Sequence, residues 1–368
     1  MQRQRFTTGW RFYLGDIVDR WWWGEPDDST WRLIDLPHDW SIELDRDPAS
    51  PGGASVGFFP GGRAWYHKHF QAPEEWRGKK VLLEFEGVYM NAEVWLNDEY
   101  LGRHPYGYTS FWCDLTPYLR AGAENLLRVH VDNAAQPNSR WYSGSGIYRP
   151  VWLYVAEPVH VAPWGVYVST PEVSATEATV RARTTVLNEQ DAAQEVTVRS
   201  RVVTPDGSPV AVSEMQAHVE AGGRHECSQD LRVTSPLLWS PDTPHLYRLE
   251  TEVLAGGEVL DRASTPFGIR SLSFDAQEGF RLNGRPLKLK GGCVHHDNGV
   301  LGAASYERSE ERRVELLKAS GFNAIRCAHN PPAPAFLDAC DRLGMLVIDE
   351  AFDCWREGKN PYDYHTIF

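Results

Sequence analysis

The sequence predicts a multidomain fold: two all-β sandwiches in succession, then the opening of a parallel α/β sheet or barrel. Three observations carry this. Short β-rich runs punctuated by Gly and Pro clusters fill the first two thirds, with no helical periodicity of useful length. Tryptophan is concentrated at one end, 13 of 15 falling in the first 164 residues. From about residue 268 the spacing becomes strand–helix–strand–helix–strand, which requires parallel pairing.

Residues 1–157 are expected to form the first sandwich, a jelly roll. KKVLLEFEGVYMNAEVWLNDEYLG (79–102) holds β-rich runs with Asn97-Asp98 as a hairpin turn. NLLRVHVDN (125–133) alternates, and GIYRPVWLYV (146–155) is a further strand. Pro150 places that strand at an edge or bulge, because proline offers no N–H to a ladder. The loop PASPGGASVGFFPGG (48–62) lies on the surface. Large β cores bury tryptophan, and flat indole faces also suit the C–H faces of sugar rings. Trp21, Trp22 and Trp23 are consecutive, so an extended segment cannot bury all three on one side.

Residues 158–267 are poorer in Trp and richer in Val, Thr, Ala and Arg. ATVRARTTVL (178–187) and QEVTVRSRVV (194–203) have period two, and Thr204-Pro205-Asp206-Gly207 is a turn. A second sandwich of immunoglobulin-like size follows, and it carries no convincing chemistry.

Residues 268–368 change pattern again. PLKLKGG (286–292) is a strand, and SEERRVELLKASG (309–321) is a helix with Ser309 as N-cap and Gly321 past its end. FNAIRC (322–327) is a strand. APAFLDACDRLG (333–344) is a helix with Phe336, Leu337, Cys340 and Leu343 on one stripe. MLVIDE (345–350) is an apolar strand ending in two acids. Near-continuous apolar strands predict burial on both faces of this sheet.

Composition limits the function. A net charge of −13 without a basic cluster argues against nucleic acid or an anionic membrane surface as partner. No apolar run approaches the roughly 18 residues of a membrane span. MQRQRFTTGWRFYLGD lacks the apolar stretch of a signal peptide, and six scattered cysteines without a CxxC pair read as free thiols. The expected location is the cytoplasm.

Parallel α/β architectures present ligands at the carboxyl ends of their strands. Those ends hold Cys293, His295, His296 and Asp297; then Arg326, His329 and Asn330; then Asp349 and Glu350. Three successive strands ending in polar groups is a stronger signal than any one. A zinc reading of Cys293, His295 and His296 is weak, because adjacent histidines on an extended backbone diverge. Asp349 and Glu350 diverge likewise, so they are poor candidates for a catalytic pair, which needs carboxylates on separate elements. No metal or cofactor is expected.

LPHDW (36–40), SRWYSGSGIYRPVWL (139–153), FGIR (267–270), GGCVHHD (291–297), GFNAIRCAHNPP (321–332) and CDRLGMLVIDEAFD (340–353) together resemble glycoside hydrolase family 2. The stretch from Leu238-Trp239-Ser240-Pro241 to Pro244-His245-Leu246-Tyr247 belongs to the same pattern. The resemblance implies a jelly-roll sugar-binding domain, an immunoglobulin-like sandwich and a (β/α)8 TIM barrel. HHDNGVLGAA, AHNPPAP and DEAFDCW are most similar to the branch labelled β-galactosidase. The implied reaction is retaining hydrolysis of terminal β-linked sugars, with β-glucuronidase, β-mannosidase or a non-catalytic carbohydrate-binding protein as alternatives. The implied partner is a β-glycoside, and the resemblance is compatible with a homo-oligomer.

By that resemblance, Arg326 orients catalytic carboxylates, while His329 and His295 hold the sugar. Losing one such charge-assisted hydrogen bond costs roughly ten- to a hundred-fold in rate when it is felt in the transition state. Asn330, His296, Asp297, Glu350, Trp355, Arg140 and Trp141 complete the expected substrate-binding set. Two departures stand out. Cys293 occupies a position where many members carry Asn, and Arg140 one where several carry Asp. An Arg there favours an anionic or otherwise different sugar, or turns away. The family's acid/base and nucleophilic glutamates close the fourth and seventh barrel strands, so both are expected beyond Phe368, and these 368 residues alone are expected to be inactive.

Overall fold

The structure, a computed structural model, describes residues 1–17, 27–354 and 356–367. Trp21, Trp22, Trp23 and Trp355 lie outside the described residues.

The first unit packs two antiparallel sheets face to face. One runs in the order Gln2–Arg5, Val151–Ala156, Lys80–Phe85, Phe111–Asp114. The other runs Arg32–Ile34, Trp10–Leu14, Gly62–Gln71, Glu124–Asn133, Ala92–Leu96, Glu99–His104. Their inner faces meet in one apolar core that includes Trp10, Trp40, Tyr66, Leu83, Phe85 and Val129. Asn97 (φ 49°) and Asp98 (φ 77°) form the expected tight hairpin turn, the left-handed pair that such a connection requires. The proline expectation needs correcting. Val151–Ala156 is an interior strand, paired on both sides. Pro150 precedes its first residue, where no ladder N–H is missed.

The second unit stacks a three-stranded sheet (Val159–Val173, Glu177–Asn188, Arg224–Thr234) on a four-stranded one (Pro209–Val219, Gln194–Val203, Tyr247–Ala255, Glu258–Phe267). Alternation is clean: Val180, Ala182 and Val186 point into the core from one strand while Arg181 and Arg183 point out.

The third unit holds three parallel strands, β1 (Gly291–Val294), β2 (Ala324–Cys327) and β3 (Leu346–Asp349), joined by α1 (Glu307–Ala319) and α2 (Pro334–Leu343). This is the partial TIM barrel. Three expectations shift here. The first strand lies later than 286–292, because Arg285–Pro286 pairs instead with an antiparallel ribbon. The Asn323 side chain holds Lys288 O and Lys290 N in the connection, so Cys293 belongs to the strand itself. Ser309 is not the cap of α1; the helix begins at Glu307, and the Ser309 hydroxyl donates to Tyr306 O.

The third shift matters most. The helices cover one face of the sheet, where Ile325, Cys327, Phe336, Cys340 and Met345 pack together. Cys293, Arg326 and Ile348 are aligned across the other face, and there Ile348 is 52% exposed. Within these 368 residues the helices bury one face, and the other, which a complete barrel would turn inward, carries the polar side chains. Gly344, in the left-handed region at φ 76°, ends α2 as expected. Among the described residues, no helix is long and apolar enough to cross a membrane.

Candidate active site

Four segments position the site. Arg326 projects from β2 onto the open sheet face, and Glu350 follows β3 directly. The Arg326 guanidinium donates through Nε to Glu350 Oε1, and its Nη1 lies 3.5 Å from Cys293 Sγ. The other Glu350 oxygen accepts from His329 Nδ1 at 2.8 Å. Burial would raise the Glu350 acid, but hydrogen bonds from His329 and Arg326 outweigh it and hold the group below the usual carboxylate range. One carboxylate thus fixes two side chains from the neighbouring strand end.

His295 sits at the end of β1, its Nδ1 donating to Ala328 O. Trp141, from the first unit, stacks on the His295 ring (5.3 Å between centroids, 11° between planes) and leans on His329 at 5.4 Å. Its indole N–H donates to Tyr108 Oη at 3.0 Å, which fixes the ring's orientation. Arg326, His329, Glu350, His295 and Trp141 are therefore brought together by four different stretches of chain.

Arg140 is turned onto the β3 loop. Its Nε and Nη2 grip Asp353 at 3.0 and 2.6 Å, so it is not a free cation awaiting an anionic sugar. Asp353 also accepts from Lys359 Nζ at 2.8 Å. Burial would raise Asp353, but the bonds from Arg140 and Lys359 outweigh it and keep the group depressed.

Two expected residues do not face the site. His296 is buried, its ring edge-on to Tyr108 and Tyr148 and its Nε2 donating to Ser143 O at 3.1 Å. Desolvation lowers its pKa to about 3, so it stays neutral. Strand β1 ends at Val294, and beyond it the adjacent side chains part: His295 lies on Trp141, while His296 is sealed against Tyr108 and Tyr148. Asn330, 2% exposed, is turned inward beside His296 and Arg149. Asp297 is half-buried, its carbonyl taken by Arg313.

Sequence reasoning missed the residues that lock this junction. Arg149, 1% exposed, donates to Tyr108 O at 2.8 Å and to Pro331 O at 2.9 Å, pinning the loop after β2 to the first unit. Asp39 accepts from the backbone N–H of Ser41, Ser145 and Ala303, the last from the third unit. Arg313 of α1 donates to His295 O at 2.6 Å. The signal was present: Asp39 lies in LPHDW and Arg149 in GIYRP, motifs quoted above without a role.

Among the described residues, one group could gather around a metal ion. Ligand atoms of Cys354, Asp363 and His365 lie within 4.8 Å of one another. Asp363 is already committed, accepting from Lys359 N and Asn360 N at 2.6 Å each to close a turn.

Comparison with known proteins agrees with this geometry. Three family models match in order: "Glycosyl hydrolases family 2, sugar binding domain" over residues 9–158, "Glycosyl hydrolases family 2" over 159–270, and "Glycosyl hydrolases family 2, TIM barrel domain" over 276–354. The β-galactosidase BoGH2A of Bacteroides ovatus is 49% identical over 100% of this chain, which spans 43% of that protein. A β-glucuronidase of Bacteroides fragilis is 31% identical over 87% of the chain, covering 46% of that protein. A crystal structure of a glycosyl hydrolase family 2 member from Bacteroides cellulosilyticus superimposes with a TM-score of 0.93 at 45% identity, over 100% of this chain and 48% of that one. The chain thus spans under half the length of these relatives, and its three matched segments together run through nearly all of it. It belongs to glycoside hydrolase family 2.

Proposed function

We propose that these residues form the first part of the sugar site of a retaining exo-β-glycosidase, of β-galactosidase type, acting on terminal β-linked sugars. One observation carries the reading: Glu350 holds Arg326 and His329 together at the open mouth of three parallel strands, with His295 and Trp141 alongside. Arg326 and the histidines offer the donors and acceptors that grip sugar hydroxyls, and Trp141 supplies an aromatic wall.

The commitment of Arg140 to Asp353 favours a neutral sugar over a glucuronide, since it removes a free cation from the site. The acid/base and nucleophilic carboxylates of double displacement would come from barrel strands outside these 368 residues. The three units over 1–157, 158–267 and 268–368 would then be sugar-binding, immunoglobulin-like and catalytic. Six free cysteines, five of them buried, fit a cytoplasmic location.

The test begins with the intact mass of the natural gene product, followed by its hydrolysis of aryl β-galactoside, β-glucuronide and β-mannoside. A product heavier than 41.7 kDa that prefers the galactoside is the expected result. Preference for the glucuronide would overturn the sugar assignment, and a longer product inert on all three would overturn the enzymatic one.

A further inference from the structure

We propose that Arg140 is a positioning residue that keeps Asp353 off His329 and so leaves the imidazole Nε2 open to a sugar hydroxyl; the inference rests on the sugar-site reading above. His329 lies between two carboxylates of the same loop. Glu350 engages Nδ1 at 2.8 Å, so Nδ1 donates there and Nε2 is the ring nitrogen left to face substrate. Asp353 Oδ1 stands 3.9 Å from Nε2, beyond hydrogen-bond range.

What restrains Asp353 comes from the first unit and from its own loop. Arg140 closes on it with a two-pronged grip, and Lys359 adds a third bond. The Asp353 side chain is only 6% exposed beneath Arg140, and with Arg140 lost Lys359 is the one cation still bonded to it. A buried carboxylate deprived of Arg140 turns to the next donor within reach, the His329 imidazole. Both ring nitrogens would then be held by carboxylates, and neither would remain for substrate. Among the described residues, the other groups facing His329 are the rings of Trp141 and His295, and Arg326 acts on it through their shared partner Glu350. None of these competes for Nε2.

The device can be tested in two independent ways. In the complete enzyme, Arg140→Ala should lower kcat/KM by about tenfold, and Arg140→Lys, which keeps the charge but loses the fork, should fall between. Adding Asp353→Ala to Arg140→Ala should recover most of the loss. A merely structural clamp predicts a double variant no better than the single one, and that result would overturn the proposal. On the 368-residue chain, nitrogen-15 histidine spectra of Arg140→Ala should shift the His329 Nε2 resonance as Asp353 closes on it. An unmoved resonance would equally overturn it. Should Arg140→Ala fail to fold, Arg140→Gln carries the same tests. A shifted resonance in a protein that hydrolyses no β-glycoside would place the failure in the sugar reading instead.

Discussion

The immunoglobulin-like sandwich and the parallel strands after it are built from similar apolar runs, yet they spend their polar residues differently. In the sandwich, Arg181 faces Asp230 and Arg199 faces Glu214 across outward sheet faces open to water. Each partner is satisfied by a neighbour one strand away. In the third unit, Arg326 and His329 share Glu350, and the connections run out to Trp141, Arg140 and Arg149 of the first unit. The lesson is that the sandwich pairs stay on the surface of one sheet, whereas those at the parallel strand ends gather several segments around one carboxylate.

Breaking the helix-covered face of the third unit should give the largest effect. Phe336 is 1% exposed within the cluster that seats α2 on the sheet. Phe336→Ala should cost about 3–5 kcal/mol by equilibrium denaturation. A cost under about 1 kcal/mol would mean that α2 is not anchored as described. On the open face the effect should be on chemistry instead. In the complete enzyme, Arg326→Ala and His329→Ala should each lower kcat/KM roughly ten- to a hundred-fold while leaving the unfolding midpoint near wild type. Wild-type rates in a folded variant would remove the residue from the site.

Acid should separate the two regions next. Glu350 and Asp353 both have depressed folded pKa values, so the stability they contribute is present above the ordinary carboxylate range near about 4. It is lost as pH falls through their lower folded values. Hydrogen exchange should therefore loosen the segment around residues 350–363 in acid before the sandwich core opens. Simultaneous loosening would deny the difference. The smallest effect belongs to the exposed ladder of the sandwich: Arg181→Ala should move Tm by no more than about 2 °C. A larger drop would show that this surface pair is more than decoration.

How far the sequence could be read varies with the kind of interaction. The Asn97-Asp98 turn, the alternation of the second sandwich and the helix ending at Gly344 are local matters, set within a few residues by backbone preference and burial period. The first parallel strand was misplaced because Asn323, 33 residues from Lys290, holds its approach in a loop. Pro150 misled because a proline just before a strand looks the same in sequence as one inside it. At the site, the strand-end position of Arg326, His329 and Glu350 was legible. The inward turn of His296 and Asn330 was not.

By itself, then, the sequence determined the order of elements, the polar ends of three parallel strands and, through its motifs, the family. Tertiary structure alone decided which of those polar residues meet. His295 and His296 have the same chemistry and adjoining positions, yet one faces Trp141 and the other is sealed against Tyr108 and Tyr148. Arg140 reads as a spare cation until Asp353, 213 residues away, closes on it. The physical reason is range: backbone propensity acts over a few residues, while desolvation and charge pairing depend on neighbours that only the folded chain supplies.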